Sequence, residues 1–78
     1  HEDIAKILIN IGNAYKNLSK YTESLQNYEK ANNILKKIYN NNENHSVIAE
    51  ILLNIGNIYE LKSDFQEALK YYENAKQI

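Results

Sequence analysis

Asn10, Asn13 and Asn17 are spaced three and four residues apart, and Asn54 and Asn57 repeat the first two at a distance of 44 residues. On a helix turning about 100° per residue, that spacing gathers the amides on one face, with Lys6 near the same line. A carboxamide carries two donors and an acceptor, so a row of them can bond to groups of both kinds. An ordinary solvated face gives the same pattern, and the residues alone leave both readings open.

Other chemistry has less to build on. His1-Glu2-Asp3-Ile4-Ala5 begins like a zinc-binding H-E-x-x-H helix, but Ala5 occupies the place of the second ligand one turn on. His1 and His45 are equivalent positions of a repeat and are expected to share a structural task at a helix start. Gly12 and Gly56 each stand alone inside an apolar run, so neither opens a phosphate-binding loop. No grouping of nucleophile, base and orienting residue is visible, and the expectation is a non-enzyme with no cofactor and no metal.

The formal charge is −1 and the nine basic residues are all Lys, scattered along the chain. That gives no footprint for nucleic acid or for an anionic membrane. No apolar run approaches the roughly 20 residues of a bilayer span, and the absence of Cys fits a reducing compartment, so a soluble cytoplasmic chain is expected. Tyr15, Tyr28, Tyr59 and Tyr72 fall on apolar stripes. They read as core aromatics and not as an exposed stacking platform for bases.

The elements that must position these residues come in duplicate. Ile7-Leu8-Ile9-Asn10-Ile11-Gly12-Asn13-Ala14-Tyr15 recurs as Ile51-Leu52-Leu53-Asn54-Ile55-Gly56-Asn57-Ile58-Tyr59, and Leu25, Tyr28, Glu29 and Ala31 recur in the same register as Leu69, Tyr72, Glu73 and Ala75. A period of this size marks a solenoid, in which a supersecondary unit stacks on its copy. Residues 4–18 place apolar side chains at 4, 7, 8, 11, 15 and 18, which predicts a first helix, with Ala5 and Gly12 on its flank. Gly inside a helix costs about 1 kcal/mol relative to Ala, so close approach of a neighbouring helix is the expected reason for Gly12.

Asn17-Leu18-Ser19-Lys20 reads as a turn into a second helix, whose stripe runs Tyr21, Leu25, Tyr28, Ala31, Ile34, Leu35, Ile38, Tyr39. The Asn-rich residues 40–44 read as a connector, and Ser46 or Asn44 can cap a third helix over 47–62. Asp64 with Glu67 makes a capping-box-like pair for a fourth, with Phe65, Ala68, Leu69, Tyr72 and Ala75 as its buried stripe. Short turns impose antiparallel pairing. The predicted fold is all-α: an α-α superhelix, or solenoid, of two tandem antiparallel helical hairpins. It forms a single unit over residues 1–78, with repeat 1 at 1–44 and repeat 2 at 45–78, and reads as a fragment of a longer array.

Leu8-x2-Ile11-Gly12-x2-Tyr15 followed by Ser24-x3-Tyr28-x2-Ala31, and Leu52-x2-Ile55-Gly56-x2-Tyr59 followed by Ala68-x3-Tyr72-x2-Ala75, resemble tetratricopeptide repeats over essentially the whole chain. Leu8 and Leu52 replace the usual Trp, the late Pro is missing, and the period exceeds the usual value of about 34. The long period and the inter-repeat His resemble the kinesin-light-chain-like branch, which implies cargo or adaptor binding. A HEAT or armadillo-type solenoid also fits the period, though Gly-x2-Tyr in the first helix argues against it.

The resemblance implies a protein–protein interaction module whose first helices line a concave groove for a peptide of a partner. It implies Asn10, Asn13, Asn17, Asn54 and Asn57 as clamps on peptide backbone, with Lys6, Ile9 and Leu53 beside them. Ile9 and Leu53 stand where chaperone-binding members carry a carboxylate-pairing Lys, so an extended or helical internal segment is the expected ligand. The rival expectation is structural: stacking or a homo-oligomer through an uncapped last helix, with Leu69, Tyr72 and Ile78 as the open strip.

Overall fold

The computed structural model describes residues 2–39 and 46–78. These residues form four helices: α1 (Glu2–Asn17), α2 (Tyr21–Tyr39), α3 (Ser46–Leu61) and α4 (Phe65–Lys76). α1 packs on α2 and α3 on α4, giving two compact units, and no strand occurs among the described residues. The predicted connector at 40–44, with Asn44 as a cap, and the His1/His45 pair lie outside the described residues.

Both hairpins turn by the same device. The Ser19 N–H donates to the Lys16 carbonyl at 2.9 Å and the Lys20 N–H to the Tyr15 carbonyl at 2.8 Å; Ser63 and Asp64 repeat this with Glu60 and Tyr59 at 2.9 and 2.8 Å. This crossed pair is a Schellman ending, which needs a left-handed residue at its centre. Ser19 and Ser63 supply it with φ of 61° and 64°. A residue with a Cβ is disfavoured there by roughly 1–2 kcal/mol, so each hairpin turn carries local strain.

α4 starts at an N-cap. The Asp64 carboxylate accepts from the Glu67 N–H at 3.4 Å. The predicted capping box is only half made: the Asp64 N–H already serves the Schellman turn, and the Glu67 carboxylate pairs with Lys70 at 3.5 Å. α3 opens at Ser46 itself.

Close approach decides which face of α1 is buried. A Cβ on Gly12 would lie 2.7 Å from Cε1 and 2.8 Å from Cδ1 of Tyr28, so the ring lies against bare helix backbone. The seam of α1 is therefore Ala5, Ile9 and Gly12, and the α2 side is Ser24, Tyr28, Ala31 and Leu35. Burying side chains the size of Tyr28 or Leu35 stabilises the hairpin by roughly 1.5–3 kcal/mol each. This corrects the predicted stripe: Ile4, Ile7, Ile11 and Leu18 are exposed, Ile7 to 57 %. Large apolar residues dominate a periodicity count, whereas the small flank sets how near the partner helix can come.

The correction recurs on α4, where Ala68 and Ala75 are buried but Phe65 and Leu69 are 60 and 58 % exposed. A Cβ on Gly56 would meet Cε1 of Tyr72 at 2.7 Å, repeating the seat of the first hairpin. α3 buries Ile48, Ile51, Ile55, Gly56 and Ile58.

Two hydroxyls bind the first hairpin further. Ser24, fully buried, donates from Oγ to the Gly12 carbonyl at 2.7 Å. Tyr39 donates to Glu2 Oε2 at 2.7 Å, tying the end of α2 to the start of α1 and confirming their antiparallel course. That bond to a carboxylate, with lesser help from desolvation and the Glu2 charge, raises the Tyr39 phenol above its usual range.

Candidate functional site

α1 carries the predicted amides on a continuous helical face. At about 100° per residue, Lys6, Asn10, Asn13 and Asn17 fall within an arc of roughly 60°. Asn10 and Asn17 are exposed, Asn17 as the last residue of α1, and Asn13 is half-buried beside the seam. Lys6 is exposed and lies 3.6 Å from Glu2, an i,i+4 pair in the favourable order. Such a surface pair adds little stability, so its ammonium is open to other partners.

Ile9 does not join that surface. It is 7 % exposed and belongs to the seam, whereas its copy Leu53 is 49 % exposed. The Gly12–Tyr28 and Glu2–Tyr39 contacts set the register of α1 on α2 and put Ile9 level with Ala31. α2 runs about two turns beyond that level, to Tyr39. In the second hairpin the Gly56–Tyr72 contact puts Leu53 level with Ala75, and α4 ends at Lys76. The expected wall residue Ile9 is thus core, and of the pair only Leu53 offers apolar surface.

On α3, Asn57 is exposed and Asn54 half-buried. The face otherwise departs from its copy, because Glu50 replaces Lys6 and Leu61 replaces Asn17. One face carries a cation and three amides, the other an anion, two amides and a leucine.

The hydroxyl partners also differ. Tyr28 donates to Asn13 Oδ1, inside the amide row. Tyr72 donates to Glu60 Oε1 at 2.7 Å, one turn further along α3. The bond to Glu60 is the main cause of a raised Tyr72 pKa, with smaller contributions from desolvation and the carboxylate charge. The sequence reading missed this difference, and the signal for it was available: Lys16 and Glu60 are equivalent positions, and only a carboxylate can accept.

Two further features of the second hairpin were not foreseen. Tyr59 and Tyr71 stack at 5.6 Å between ring centroids with 13° between planes, and Lys62 Nζ lies 5.7 Å from the Tyr59 centroid. Glu60, Phe65, Ala68, Leu69 and Tyr72 line an open depression of about 230 Å³. Among the described residues no cluster of His, Asp or Glu is arranged to hold a metal, and no helix is long and apolar enough to cross a membrane.

A family model described as tetratricopeptide repeat matches residues 3–78. No curated protein and no solved structure matches the chain.

Proposed function

The chain belongs to the tetratricopeptide repeat family, and from that premise we propose that it is a cytoplasmic, non-catalytic adaptor module that holds an extended peptide segment of a partner protein on the amide faces of α1 and α3. Repeats of this family are generally protein–protein interaction modules. The observation that carries the finer reading is the row Asn10, Asn13, Asn17 on one face of α1, with Asn54 and Asn57 at the copied positions of α3. Carboxamides in that spacing can take the N–H and C=O of successive peptide units, and Leu53 adds apolar contact. With Ile9 in the core, Lys6 is the cation of the α1 face. The period of 44 residues and the 19-residue α2 favour the long-period, kinesin-light-chain-like subtype.

The test is a peptide titration of the parent chain against Asn13→Ala/Asn57→Ala. Peptides come from a random nonapeptide library displayed on phage. Loss of two hydrogen-bonding amides should weaken binding about fivefold or more. Unchanged affinity would remove these residues from the site.

The open surface of α4 favours a second reading, self-association through Phe65 and Leu69. Sedimentation velocity over a wide concentration range separates the two. A monomer at every concentration rules the second out.

A further inference from the structure

The two tyrosines that sit on Gly12 and Gly56 choose different acceptors, and the choice bears on what the amide row can read. We propose that Tyr28 is a positioning residue: by donating to Asn13 Oδ1 it turns the Asn13 carboxamide so that its Nδ2 donors face outward. The first hairpin then presents a pre-oriented site for a peptide carbonyl, while Asn57 keeps either orientation available. This rests on the peptide-binding reading above and names which peptide atom its first hairpin takes.

The ring of Tyr28 is fully buried and held against the Gly12 backbone. Its hydroxyl therefore emerges at a fixed point. Asn13 is the next residue along α1 and receives the bond through its carbonyl oxygen. A planar carboxamide has its nitrogen opposite that oxygen, so fixing Oδ1 inward fixes both N–H donors outward. A group already oriented loses less freedom on binding, which favours ligands matching that orientation.

The second hairpin has the same seat and a different outcome. Tyr72 bonds Glu60, and Asn57 is exposed. Glu60 stands at the position of Lys16, whose ammonium has no acceptor. The Lys/Glu exchange thus decides whether the tyrosine hydroxyl donates toward the helix end or into the amide row.

Side-chain ¹⁵N relaxation of the full chain tests the orientation without any ligand. Asn13 Nδ2 should be well ordered and Asn57 Nδ2 mobile. Lys16→Glu should free Asn13 by giving Tyr28 a carboxylate, Tyr28→Phe should free it with no change of charge, and Glu60→Lys should order Asn57. Equal order at Asn13 and Asn57 in the parent, or strong proximity signals between Asn13 Nδ2 protons and the Tyr28 ring, would overturn the proposal. With a nonapeptide selected on the parent, Tyr28→Phe and Lys16→Glu should each weaken binding by about two- to tenfold. Unchanged affinity in both overturns the carbonyl reading. A library that yields no binder sinks the peptide-binding function itself, while the relaxation data still decide the orientation of Asn13.

Discussion

The two hairpins have the same skeleton and different wiring. Each ends its first helix on a left-handed serine and seats a tyrosine ring on a helical glycine. The seat recurs because backbone geometry demands it: a ring that close to a helix excludes any Cβ. Around the seat, Ser24 bonds the Gly12 carbonyl where the second hairpin has Ala68, and the tyrosine hydroxyls part between Asn13 and Glu60. Steric requirements are thus repeated and polar partners are not.

The glycine seats should show the largest difference. Gly12→Ala forces a methyl into a ring that is fully buried and bonded at its hydroxyl, and overpacking of this kind costs about 1–3 kcal/mol. Gly56→Ala gains the same helix propensity of about 1 kcal/mol as Gly12→Ala but meets a ring that is only half-buried, so its net loss should be the smaller of the two. Urea denaturation of both variants checks this. Equal losses would show that Tyr72 is held as rigidly as Tyr28.

Capping should separate the hairpins next. Asp64 caps α4, whereas Lys20 stands at the equivalent place before α2. Asp64→Ala should lose about 1 kcal/mol and Lys20→Asp should gain about 0.5–1 kcal/mol, read as opposite shifts in thermal midpoint. A loss on Lys20→Asp would mean that Lys20 has a role its position does not suggest.

The turns should respond alike. Ser19→Gly and Ser63→Gly relieve the same left-handed strain, and after the added freedom of the unfolded chain each should stabilise by about 0.5 kcal/mol. Unequal gains in denaturant midpoint would break the equivalence of the two turns.

The smallest effect is alkaline. Tyr39 and Tyr72 both have raised pKa values, so the folded chain holds these protons more tightly than the unfolded chain. Their contribution is complete below pH 10 and is lost as pH rises through the folded-state values. Tyr39→Phe and Tyr72→Phe should each flatten the decline in thermal midpoint above pH 10, one variant reporting on each hairpin.

Much of this was legible in the residues. The 44-residue period, the helix count, the turn at residues 17–20, the Asp64 cap and the shared face of Lys6, Asn10, Asn13 and Asn17 follow from local rules of spacing and backbone preference. The sequence also marked Gly12 as needing a close neighbour. It could not say that the neighbour is the Tyr28 ring, that α1 packs through Ala5, Ile9 and Gly12 with Ile7 left in solvent, or that Ile9 and Leu53 part company. Periodicity determines which side chains share a face. Which face is covered, and which acceptor a buried hydroxyl meets, depends on how near and how far along a second helix runs, and those distances exist only once the hairpin has closed.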